Sequence, residues 1–204
     1  SQLAARAWSL GLFAAPRKAF VGDGSSWIWT EWDRHFKAFG FVPILDFIHA
    51  LTRVYAAALA GRSPTAGWEI YRRWITWTWQ GEVAKVIAEL AARQQELGLP
   101  TPPNHDTDGD TSPRCIVSET LTYLQNQQSR MNYPAYRKQG LPITSAHMES
   151  TVKLINRRVK GSEKYWSETG AEDLLQLTAD HLSTSQPMTH FWQTRPDQQT
   201  GTRS

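Results

Sequence analysis

Three observations place this chain in a mostly helical α/β class. Two short apolar runs near the amino-terminal end each stop at an aspartate, as buried strands do. Beyond Gly61 the apolar residues recur at three- and four-residue steps, the period of a helix. No internal repeat is present. Residues 2–13 predict a short helix that ends before Pro16. The run Ala19 to Gly22 predicts a buried strand closed by Asp23-Gly24. Asp-Gly followed by SSWIW allows a hairpin turn, and equally allows Ser25 or Ser26 to cap a helix from Trp27 towards Ala38. A second strand, Val42 to Leu45, follows Gly40, and Asp46 can cap a helix from Phe47 to Ala60.

The stripe Trp68, Tyr71, Ile75, Trp79, Val83, Val86, Leu90 and Leu97 predicts one long helix ending at Gly98. Residues 100–114 read as a proline- and aspartate-rich loop. Helices are expected over Cys115 to Arg130, around Glu149 after a Tyr133–Pro142 connection, and over Ala171 to Ser183. The polar tail 193–204 reads as disordered.

The 204 residues suggest one domain, or one with a sizeable insertion, and 40% hydrophobic content can support a core. Ten tryptophans are unusual, and the cluster Trp68, Trp74, Trp77 and Trp79 is expected to pack in that core. A net charge of +3 is compatible with nucleic acid but too small to argue for it. Cys115, the single cysteine, excludes an internal disulfide and leans towards a reducing, cytoplasmic compartment. The longest apolar stretch, Phe39 to Gly61, is interrupted by Asp46, His49 and Arg53, so no membrane span is expected. The start has neither an initiator methionine nor a basic leader, which argues against a signal peptide and suggests a chain that begins inside a longer protein.

Most functional information lies between Met131 and Trp166, in MNYPAYRKQGLPITSAHMESTVKLINRRVKGSEKYW. Met148, Val152, Ile155 and Val159 step by four, three and four, predicting a buried stripe. One position on, Glu149, Lys153, Asn156 and Lys160 share the adjacent face, with Arg157, Arg158 and Lys164 thickening the positive charge. Spacing alone reads Glu149–Lys153 first as an i,i+4 pair on a solvated helix. In isolation Asp23 reads as a turn aspartate, Asp46 as a helix cap and His49 as a satisfied partner. Asp106, Asp108 and Asp110 tempt a calcium-loop reading. It fails on register, with Thr111 where glycine belongs and Val117 where glutamate belongs. VGDGSS lacks the Lys-Ser/Thr pair of a phosphate-cradling loop. Cys115 has no nearby histidine to activate it.

Taken together, these segments resemble a bacterial insertion-sequence transposase of the DDE type, in the Mutator-like group. VGDGSSWIW (Val21–Trp29) is similar to the segment carrying that family's second catalytic acid, and VPILDFIHAL (Val42–Leu51) to the following strand. Asp46 and His49 match its Cys/Asp-x-x-His signature. WITWTWQGEVAKVIAEL (Trp74–Leu90) resembles the helical insertion between the second and third acids. YRKQGLPITSAHMES through INRRVKG and YW resembles the third-acid segment, and this ordered string is the most specific piece. The likeness covers about Ala19 to Trp192.

The resemblance implies a partial ribonuclease H-like fold with a large all-α insertion. Residues 1–61 would be partial core, 62–130 the insertion, 131–192 the third-acid segment and 193–204 the tail. It implies Asp23 and Glu149 as catalytic acids and ligands of a two-magnesium site, with Asp46 and His49 in support. Lys153, Arg157, Arg158, Lys160 and Lys164 would contact DNA phosphates, and copies would assemble on DNA. The family's first aspartate has no counterpart, since residues 1–22 contain no Asp or Glu. The expectation is therefore a truncated transposase, inactive alone. Two alternatives stay open: a non-catalytic nucleic-acid-binding remnant or regulator, and a helical protein-interaction module.

Overall fold

The computed structural model describes residues 1–100, 111–146, 148, 150, 152–154, 165–183 and 186–194. They form two compact units, Ser1–Ser145 and Ala146–Ser204. In the first, α1 (Gln2–Ser9) precedes β1 (Ala19–Gly22), α2 (Ser26–His35), β2 (Val42–Leu45) and α3 (Phe47–Leu59). Then follow α4 (Pro64–Trp79), α5 (Val83–Leu97), α6 (Pro113–Gln127) and α7 (Tyr133–Lys138). In the second, the described residues between Ala146 and Leu154 are helical, followed by α8 (Glu168–Leu182) and α9 (Pro187–Thr194). The architecture is mostly helical, with one two-stranded parallel sheet.

The strands pair in the register Ala19↔Val42 to Gly22↔Leu45, with α2 as their crossover. Parallel strands need such a crossover, whereas a hairpin at Asp23-Gly24 would have laid the SSWIW segment antiparallel against β1, where the structure has α2. The helix-capping reading of SSWIW therefore holds: Ser25 occupies the N-cap position, although its side chain makes no cap bond. Apolar residues repeat on α3 so that Phe47, Ala50, Val54, Ala57 and Ala58 are buried. That face meets Trp74 of α4, Val86 and Leu90 of α5, and Val117, Leu121 and Leu124 of α6 in one core. A smaller aromatic cluster joins Ala7, Phe36 and Phe41 to Phe13, Phe20 and Trp32. No helix among the described residues is long and apolar enough to cross a membrane.

Several expectations need correction. The long helix from Trp68 to Leu97 is two helices, because Gly81 adopts φ +78° and the Glu82 N–H reaches back to Trp77 O, ending α4. Helical period survives the break, so the apolar stripe could not reveal it. The first helix stops at Ser9, and a separate 3₁₀ turn spans Leu12–Ala14. The Tyr133–Pro142 connection contains α7, started by Asn132 accepting from Ala135 N–H and by Pro134 in its first turn. The tryptophan cluster divides: Trp74 is fully buried, Trp77 packs against the core, and Trp68 and Trp79 are exposed.

Met148 and Val152 are exposed rather than part of a buried stripe. In their unit Thr178 is the one buried described residue, so little packed surface is there to cover them. Ile155, Val159, the acidic run Asp106–Asp110 and the tail beyond Thr194 lie outside the described residues.

Candidate functional site

Asp23 and Asp46 each follow the last residue of a strand, and the register carries on one step past Gly22↔Leu45, with Asp46 N–H donating to Gly22 O at 2.7 Å. In α/β sheets ligands bind beyond the carboxyl ends of the strands. A cleft of about 250 Å³ lies there, lined by Asp23, Ser25, His49, Thr52, Arg53 and Tyr123 among others. The two aspartates have different surroundings. Asp23 is exposed, and its Oδ1 accepts the Ser25 N–H at 2.8 Å, a local aspartate turn.

Asp46 is fully buried. Its Oδ1 caps α3 by accepting the His49 N–H at 3.0 Å, while Oδ2 accepts both the Ser145 N–H and the Ser145 hydroxyl, the latter at 2.7 Å. Burial pushes its pKa up, but the bonds from Ser145 and His49 outweigh that and leave the carboxyl below the ordinary aspartate value. Next to it, Tyr133 donates to Leu45 O at 3.1 Å and Phe47 N–H donates to Ile143 O at 2.9 Å. His49 Nδ1 lies 3.3 Å from Asp46 Oδ1, and its half-exposed ring lines the cleft.

The cleft's other wall comes from α6. The Tyr123 hydroxyl donates to Asp23 O at 2.8 Å, and the Gln127 amide donates to Gly24 O at 3.1 Å. Gly24, at φ +100°, fits closely beneath: a Cβ there would lie 2.6 Å from Tyr123 Cε2. Burial, helped by the nearby Asp23 and Asp46 charges and opposed by Arg53, pushes the Tyr123 phenol up to about 12, so it stays a neutral donor at physiological pH. Arg53 sits over the Tyr123 ring at 5.6 Å and 3.8 Å from Glu119.

Sequence reasoning picked out Asp23, Asp46 and His49, and the fold brings these three to one place. It missed Tyr123, Gln127, Arg53 and Ser145. Ser145 stood inside the quoted third-acid string, and nothing in its neighbours announced a bond to a residue 99 positions away. Lys153 is exposed on helical backbone. Glu149, Arg157, Arg158, Lys160 and Lys164 lie outside the described residues.

A hard divalent cation wants several carboxylate or carbonyl oxygens. The cleft offers one carboxylate, Asp23, because both Asp46 oxygens already accept hydrogen bonds in a buried setting. Among the described residues no group of three His, Cys, Asp or Glu is gathered to hold a metal. The described donors alone therefore do not make a magnesium site. No family model, curated protein or solved structure matches the chain.

Proposed function

We propose that this chain belongs to a cytoplasmic DDE transposase of the Mutator-like group, with β1 and β2 part of a ribonuclease H-like sheet and DNA as its partner. One observation carries the reading: Asp23 and Asp46 stand side by side at the carboxyl ends of two parallel strands, with His49 on the same cleft. The resemblance assigns the second acid and the Asp-x-x-His signature to these residues. A supporting observation comes from Ser145, held by Asp46 and followed four residues later in the sequence by Glu149, the proposed third acid.

In this reading Asp23 is the acid exposed to substrate and Asp46 is the brace behind it, holding α3 and the segment that leads to Glu149. Lys153, Arg157, Arg158, Lys160 and Lys164 neutralise backbone phosphates and read no bases. Magnesium belongs to the proposal through Asp23 and Glu149, and a third acid is still required. With two of three acids the 204-residue chain binds DNA without cutting it.

The test is retention of duplex DNA by the purified chain across a salt series. Replacing Lys153, Arg157, Arg158 and Lys160 by Ala should flatten the dependence of log K on log salt by roughly 0.9 for each phosphate that is no longer neutralised. Unchanged retention would sink the reading, and magnesium-dependent nicking by the parent chain would overturn the claim that these two acids do not cut.

A further inference from the structure

A second cavity, of about 280 Å³, lies at the amino end of β1, whereas the Asp23 cleft lies at its carboxyl end. Arg17 and Lys18 line it, together with the apolar Leu12, Ala15, Phe41 and Leu141 among others. No carboxylate borders it among the described residues. The stretches that supply most of it, residues 1–22 and 131–148, contain no Asp or Glu at all. Both cations are held in place by the backbone. Arg17 Nη1 donates to Gln139 O at 3.5 Å and lies against Gly140, which at φ +67° has no room for a Cβ beside it. Lys18 Nζ donates to Phe13 O at 3.1 Å and stands 5.9 Å from the Phe41 ring. Lys18 O accepts the Val42 N–H, which fixes the residue next to the sheet. Each head group thus spends one N–H on a carbonyl and keeps its remaining donors. Among the described residues neither has a carboxylate within ion-pair reach, whereas Lys37, Arg53, Arg72, Arg73, Lys85 and Arg93 each have one.

We infer that this cavity is a phosphate-binding site, with Arg17 and Lys18 as its two cationic contacts. Neighbouring positive charges without a counter-charge repel each other, and an oxyanion in the cavity relieves that cost. A phosphate group suits the pair better than a carboxylate does. It brings about two negative charges and three acceptor oxygens to a guanidinium fork and an ammonium, where a carboxylate brings one charge and two oxygens. The apolar walls displace water and so strengthen both contacts. The site lies within Ser1–Ser145, so it goes beyond the proposed action on DNA and does not depend on the basic segment around Lys153. The same contacts serve a free phosphate or phosphomonoester and a phosphate of a nucleic-acid backbone.

The test is an NMR titration of the whole 204-residue chain with inorganic phosphate, at an ionic strength held constant with chloride. The Lys18, Gly140 and Leu141 amides should move saturably, and acetate at equal ionic strength should leave them in place. Arg17→Gln and Lys18→Met should each weaken phosphate binding about tenfold. The amide spectrum reports the fold of each variant, and Arg17→Gln, an exposed change, keeps the test valid should Lys18→Met unfold. A chain with Lys153, Arg157, Arg158 and Lys160 all replaced by Ala should answer phosphate as the parent does, which separates this site from the proposed function. An oligothymidylate arm identifies the source. If a nucleic-acid backbone supplies the phosphate, the oligonucleotide displaces inorganic phosphate and binds Arg17→Gln about tenfold more weakly; if a free phosphate does, neither happens. Absence of a saturable shift at these amides, equal phosphate affinity in Arg17→Gln, or acetate bound as tightly as phosphate overturns the site.

Discussion

The Asp46 carboxylate, itself fully buried, accepts from the His49 amide, the Ser145 amide and the Ser145 hydroxyl, which are partly buried. Removing it leaves these partly buried donors without that acceptor and α3 without its cap. Asp46→Ala should therefore lower stability by roughly 2–4 kcal/mol in denaturant titrations near neutral pH. Its pH dependence has a definite sign. A carboxyl lowered in the folded state contributes stability above its unfolded value, roughly 3.9, and loses it as pH falls through the folded value. The parent should thus shed this contribution only in acid below about pH 4, and Asp46→Asn should flatten that limb of the stability profile. Capping by Asp46 was legible in the sequence, since a cap and its amide are three residues apart. The bond to Ser145 was not, because pairs 99 residues apart leave no local pattern.

Helix α6 does more than fill the core. Its buried face carries Val117, Leu121 and Leu124, while Tyr123 and Gln127 fix the carbonyls that follow β1. Tyr123→Phe keeps the ring and removes one bond, for a loss of about 0.5–1.5 kcal/mol, and should speed hydrogen exchange at the Ser25 amide. Gly24→Ala should be worse. It forces a side chain into φ +100° and against the Tyr123 ring, a strain of about 1–3 kcal/mol visible in thermal unfolding. The sequence showed α6 as a helix through its period, yet held no sign that it reaches the Asp23 loop, 100 residues away. The α4–α5 break escaped for a related reason: Gly81 is compatible with a weak helix interior, and only its left-handed backbone ends α4. Where the signal was local, as in the two strands and their aspartates, sequence and structure agree.

At the scale of the molecule, burial is unequal. Residues 1–145 hold both apolar cores, whereas the described part of the second unit buries Thr178 alone. Amides of Ala50, Val54 and Ala57 on α3 should exchange only by global unfolding, and those of α8 orders of magnitude faster, in native-state exchange followed by NMR. The sheet carries a further consequence. It has two strands, so among the described residues β1 meets a strand on one side and presents its backbone donors and acceptors on the other. A third strand laid parallel against that side would end beside Asp23. Whatever its origin, the same polypeptide or another copy, its final side chain would arrive in the cleft. The open margin of β1 is thus a seam along which a further strand can pair, and through which a residue from outside the described sheet would reach the cleft.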